Sequence, residues 1–214
     1  LGPGFIARAA AHDADDSFVR ENYRELKEYG FFSAGVPTEL GGGGVTHREL
    51  CALLRELARL CGSTALALSM HTHLVATTVW RYRQGHAVGP LLQRICAEQL
   101  VLVSTGASDW LDSSGVSHRV DGGYRVSGRK IFGSGSPDGD LLITSAPYDD
   151  LEDGPTVLHF AVPTRAPGVA VLDNWRAMGM RATGSNDVLL EDVFVPESAV
   201  VLRRPRSTWH PFFA

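Results

Sequence analysis

Two stretches concentrate hydroxyl groups at points where the chain turns from strand to loop. Leu102-Val103-Ser104-Thr105-Gly106-Ala107-Ser108 passes from apolar residues into small and hydroxyl-bearing ones. Lys130-Ile131-Phe132-Gly133-Ser134-Gly135-Ser136 sets an aromatic, a small residue and a serine in succession. In an extended strand Phe132 and Ser134 point to the same face. That face offers an apolar plate beside a hydroxyl, which suits the edge of a flavin ring: the aromatic packs and the hydroxyl bonds a ring nitrogen. Ser and Gly at strand ends also simply make turns, so this chemistry needs support from the rest of the chain.

Other chemistries are excluded by spacing. The run Gly41 to Gly44 follows Pro37 and lacks the preceding strand that a G-x-G-x-x-G dinucleotide turn requires. The chain has neither a P-loop nor a G-x-S-x-G elbow. His71 and His73 are two apart, which on a helix sends them to different faces with no third ligand nearby, so both read as structural and no metal is expected. Lys and Arg number 20 against 24 for Asp and Glu, a net charge of -4 that gives no reason to expect nucleic acid or an anionic membrane. The stretch Thr64 to Trp80 is too short and too polar to span a bilayer. Cys51, Cys61 and Cys96 are odd in number and lack metal-finger spacing, so they read as reduced thiols of a cytoplasmic protein with no export signal.

The elements that position these residues fall into two halves. Up to about Gln99 the periodicity is helical: a segment from about Asp15 to Tyr29, a helix opened by Thr46 and Glu49 as a capping box, another from Ser63 to Arg83, and a last one over Val88 to Ala97. Beyond Leu100 come short runs rich in Val, Leu and Ile, divided by Gly, Asp and Pro. Val116–Val120 and Tyr124–Val126 flank Asp121-Gly122-Gly123, a hairpin turn. Further strands fit Lys130–Phe132, Leu141–Ser145, Val157–Val162, Val169–Leu172 and Val188–Val195. No helix-length segment separates them, so the sheet is expected to be mainly antiparallel, a barrel or sandwich.

At these residues the sequence resembles the acyl-CoA dehydrogenase family, in order along nearly the whole chain. Gly35-Val36-Pro37 with Leu40-Gly41-Gly42 is similar to its P-x-x-x-G-G turn. Gly123 to Lys130 resembles its Y-x-(L/V)-x-G-x-K hairpin. Gly179-Met180-Arg181 with Glu191-Asp192-Val193-Phe194-Val195-Pro196 resembles its M-G-x-R…F-E-D-V-x-V-P ending. The resemblance implies an α+β multidomain fold: an N-terminal helical domain at 1–99, an antiparallel β-barrel middle domain at 100–202, and at 203–214 the start of a C-terminal helical domain that holds the catalytic base. It implies FAD, with Ser104 or Thr105 at the pyrimidine end of the ring, Ser108 toward the pyrophosphate, Phe132 against the ring, and Ser134, next to Gly133, bonding flavin N5.

The implied reaction is α,β-dehydrogenation of an acyl thioester by a homo-oligomer, dimer or tetramer, that passes electrons to an acceptor flavoprotein. Two features depart from the family pattern. Ser104 to Asp109 stands for a longer T-E-P-x-A-G-S-D loop, and Gly133-Ser134-Gly135 stands for I-T-N. Together with Thr183-Gly184-Ser185 they resemble the two-component flavin monooxygenases of the same fold, in which a flavin reductase and oxygen are the partners and a helical histidine, here His71 or His73, lies near flavin C4a. A non-catalytic fragment or binding module is the second alternative.

Overall fold

The structure, a computed structural model, describes residues 1–105, 109, 111–150 and 154–210. Five helices come first: α1 (Gly2–Asp15), α2 (Arg20–Glu28), α3 (His47–Leu60), α4 (Gly62–Arg83) and α5 (Gly89–Glu98). The helix expected from about Asp15 begins five residues later. Asp16 takes a left-handed conformation (φ 55°) and ends α1, and the chain resumes helix only at Arg20. The start of α3 is as read. The Thr46 hydroxyl accepts from the Glu49 N–H, and the Glu49 carboxylate accepts from the Thr46 N–H at 2.9 Å. Helix α4 is central, with buried residues from Ser63 to Val79, as its nearly continuous apolar character requires. Among the described residues no helix is long and apolar enough to cross a membrane.

Among the described residues eight strands follow: β1 (Leu102–Ser104), β2 (Val116–Val120), β3 (Gly123–Gly133), β4 (Leu141–Asp150), β5 (Gly154–Pro163), β6 (Val169–Val171), β7 (Asn186–Pro196) and β8 (Val200–Pro205). They do not close into the expected barrel. They form two four-stranded sheets, in the orders β1-β4-β5-β8 and β2-β3-β7-β6. All pairs are antiparallel except β1 with β4, which are parallel. The sheets enclose a core of Val103, Tyr124, Val126, Leu142, Leu158, Phe160, Val188 and Val195. Strand β8 carries Arg203 and Arg204 paired with β5, so residues assigned from the sequence to a helical segment begin as strand. The ladder with β5 is joined by Arg204, whose guanidinium donates to His159 Nε2 at 3.0 Å and to the Leu111 carbonyl at 2.5 Å.

Candidate functional site: a hydroxyl-lined wall at the end of β3

The long strand β3 joins two runs expected separately, and its pairing with β7 shifts register between Lys130 and Gly133. Phe132 sits in that irregularity with φ 57°, a conformation that costs a non-glycine residue of order 1 kcal/mol or more. The effect is to leave its ring 46% exposed, touched edge-on by Trp175 at 5.9 Å between centroids. Gly133 is buried, and a Cβ there would lie 3.0 Å from the Asn186 carbonyl, so a side chain would press β3 away from β7 by a few tenths of an ångström.

After Gly133 the chain is stitched to the loop before β7. The Gly135 N–H donates to the Thr183 carbonyl at 2.9 Å and the Ser136 hydroxyl to the Gly184 carbonyl at 3.0 Å. The Ser134 and Ser185 hydroxyls are bonded at 2.8 Å, and those of Ser185 and Thr183 at 2.6 Å. Gly184 has φ 54°, and a Cβ on it would meet Phe18 and Pro137 at 2.8 Å. Behind the segment, Tyr23 is fully buried, and its phenol oxygen stands 2.8 Å from where a Gly135 Cβ would be.

The other expected stretch lies elsewhere. Ser104 and Thr105 line a cavity of about 270 Å³ together with His73, Arg81, Asp109 and His159, among mostly apolar walls. Thr105 is buried and shares a 2.7 Å hydrogen bond with Thr144. Phe132, Gly133 and Ser134 are not part of this lining. Ser108 falls outside the described residues.

Lys130 links the two stretches. Its buried ammonium donates to Asp109 Oδ2 at 2.8 Å and to the Ser114 carbonyl at 2.6 Å, fixing the segment after Ser104 to the strand that carries Phe132. Burial pulls the Lys130 pKa down, and Asp109 opposes this. That explains the lysine of the hairpin motif: it is a tether. The sequence reading missed both the tether's partner and Trp175. Asp109 and Trp175 reach the site through pairing that has no local signal.

The two histidines separate. His71 is buried and fully used: Nε2 donates to the Phe32 carbonyl at 2.8 Å and Nδ1 accepts from the Leu102 N–H at 3.0 Å. Burial lowers its pKa to about 4, so it is neutral. His73 is exposed at the cavity, its Nδ1 donating to the Ser69 carbonyl at 3.3 Å. Among the described residues no three His, Cys, Asp or Glu side chains converge to hold a metal.

Because Phe132 is left-handed and β3 ends at Gly133, the extended strand face expected to align Phe132 with Ser134 is interrupted; what the structure shows is a half-exposed aromatic ring followed by a linked row of buried hydroxyls. Residues 5–97 match the N-terminal domain model of acyl-CoA dehydrogenases and residues 104–193 match the middle domain model. L-evernosamine nitrososynthase of Micromonospora sp. is 32% identical over 95% of this chain and 50% of its own length. Benzylmalonyl-CoA dehydrogenase of Aromatoleum aromaticum is 32% identical over 89% of this chain and 51% of its own. A structure of KijD3 in complex with FMN and dTDP-3-amino-2,3,6-trideoxy-4-keto-3-methyl-D-glucose superposes with a TM-score of 0.87 at 31% identity, covering 95% of this chain and 51% of that one. The chain thus spans about half the length of the relatives it matches. With both domain models met in order and the helical and sheet halves in the same arrangement, the chain belongs to the acyl-CoA dehydrogenase family of flavoenzymes.

Proposed function

We propose that this chain forms the flavin-binding part of an oxygenase that uses reduced flavin, FMN rather than the FAD first expected. The observation that carries the reading is the wall of Phe132 and Ser134 backed by Thr183 and Ser185. It lies in a chain similar over 95% of its length both to a nitrososynthase and to a structure holding FMN and an amino sugar nucleotide. When bound, the flavin supplies two electrons for the activation of dioxygen. Phe132 packs on the ring and Ser134 bonds N5, while Ser104 and Thr105 line the other cavity, beside His73. An amine-bearing sugar is the substrate class this reading favours, and a flavin reductase is the partner that supplies reduced flavin. A homo-oligomer belongs to the same proposal.

The second reading is dehydrogenation of an acyl thioester, favoured by the benzylmalonyl-CoA dehydrogenase relative. One experiment separates them. Full-length protein receives anaerobically reduced FMN, isotopically labelled dioxygen and a panel of dTDP-linked amino sugars. Label appearing in an N-oxygenated product supports the oxygenase. Absence of label, with anaerobic bleaching of bound oxidised flavin by acyl-CoA thioesters, assigns the protein to dehydrogenation.

A further inference from the structure

The three hydroxyls behind the wall have a determined direction. Thr183 Oγ1 and the Met180 carbonyl oxygen are 3.0 Å apart, and a carbonyl carries no proton, so the hydroxyl must donate. Its single proton spent, Thr183 can only accept from Ser185, 2.6 Å away. Ser185 has then spent its proton and can only accept from Ser134, at 2.8 Å. The run Ser134 to Ser185 to Thr183 to Met180 is one-way. The reverse order would forfeit the Thr183 hydroxyl's bond to the Met180 carbonyl, which also accepts from the Thr183 N–H at 3.2 Å. All three side chains are nearly or fully buried, at 9%, 4% and 0% exposure for Ser134, Ser185 and Thr183, so water does not easily substitute for a missing partner. The Met180 carbonyl also accepts from Trp175 Nε1 at 3.1 Å, which ties the end of the run to the ring that touches Phe132.

We propose that Ser134 meets the flavin as a hydrogen-bond acceptor, with Ser185 and Thr183 as positioning residues that hold its proton away, so that the site prefers reduced over oxidised flavin. The inference rests on the placement of N5 at Ser134 made above. Oxidised flavin offers a lone pair at N5, which would face a lone pair of Ser134. Reduced flavin offers an N–H, which Ser134 accepts. A one-way run of hydroxyls therefore selects the redox state that a separate reductase delivers.

The test is the affinity of full-length protein for FMN in both redox states, by anaerobic titration, with circular dichroism as the folding control. Wild type is expected to bind reduced FMN more tightly than oxidised FMN. In Ser185→Ala, Ser134 regains a proton to donate, so oxidised FMN binds more tightly while reduced FMN changes little. One hydrogen bond of ordinary strength sets the size of the change at about three- to tenfold in the ratio of the two dissociation constants. A tenfold change appears as a fall of about 30 mV in the midpoint potential of bound FMN. Thr183→Val removes the same anchor without changing side-chain volume and is expected to act in the same direction. A purely structural role for Ser185 weakens both forms together, and that result overturns the proposal. Ser134→Ala separates the two layers. If it shifts FMN affinity while Ser185→Ala and Thr183→Val leave the ratio unchanged, N5 is at Ser134 and the relay is wrong. If Ser134→Ala leaves both affinities unchanged, N5 is elsewhere and both readings fail.

Discussion

His71 joins three parts of the chain through one ring: it rises from α4, donates to Phe32 and accepts from Leu102 at the head of β1. The bond from the Leu102 N–H needs an unprotonated Nδ1, and burial holds the ring's pKa at about 4, against an unfolded value near 6.5, although the Phe32 carbonyl favours the charged form. Below about pH 6.5 the unfolded chain takes up a proton that the folded one refuses, so stability is full above that pH and is lost as pH falls toward 4. The depressed pKa corresponds to roughly 3 kcal/mol for this residue. His159, which accepts from Arg204 and lies at about 3, adds in the same direction. Urea unfolding of wild type and His71→Gln at about pH 7 and about pH 5 measures this. The variant starts less stable and loses less on acidification. Equal losses in both proteins would exclude His71 as the sensor. The neutral, doubly bonded ring was partly legible beforehand, because the two-residue spacing to His73 already argued against shared ligation. What the spacing could not show is that Leu102 lies opposite, since that contact crosses 31 residues.

Elements differ in how much of their cause is local. The start of α3 was readable because Thr46 and Glu49 cap each other within four residues. Thr46→Ala is expected to cost about 1 kcal/mol, seen as a lower urea midpoint at unchanged slope. A wild-type midpoint in the variant would mean that the exposed cap contributes nothing. The strand pattern was readable in the same way, and the turn at Gly122, with φ 76°, sits where the Asp-Gly-Gly signal put it. Barrel closure, the parallel β1–β4 pair and strand β8 were not readable. Each depends on which strands become neighbours, and alternation of apolar residues carries no information about the partner. The gap between α1 and α2 has the same origin: the Val19 N–H bonds the Ala182 carbonyl, a contact from the opposite end of the chain. Gly184, at that junction, has a sharper dependence on its surroundings. Gly184→Ala places a methyl group against Phe18 and Pro137 in a left-handed backbone, with an expected loss of about 1–3 kcal/mol. It should also weaken FMN binding, because the same loop carries Thr183 and Ser185. Full stability with full FMN affinity in this variant would show that the loop relaxes without disturbing the wall.

At the scale of the whole molecule, the family was legible because several weak motifs occurred in order, whereas the chemistry was not. Ser134 reads in the sequence as a turn serine, but its hydroxyl is bonded to Ser185 and through it to Thr183, 51 and 49 residues away. The helical and sheet halves are likewise less separate than their periodicities suggest. The helical core around Phe5, Tyr23, Leu26 and Phe32 includes Val101 and Ala182. A second core around Val75, Leu92 and Ile95 includes Leu100 and Leu102 and is packed by Leu141 and Ile143. Polar contacts reinforce the junction: Lys27 pairs with Asp140 at 3.3 Å, Arg20 pairs with Asp138, and Asp140 Oδ2 also accepts from the Val101 N–H at 2.8 Å. Two halves that share their apolar cores cannot lose one without exposing the other, so residues 1–214 are expected to unfold in one transition despite their two patterns. Helical circular dichroism and tryptophan fluorescence, to which Trp80 on α4, Trp110, Trp175 and Trp209 all contribute, should trace the same curve in urea. Asp140→Ala should move both signals together to lower urea, because it removes the Lys27 ion pair and strands the Val101 N–H at the junction. Fluorescence that changes well before the helical signal, or an Asp140→Ala effect confined to one probe, would mean that the sheet half unfolds by itself and that the shared cores contribute little to cohesion.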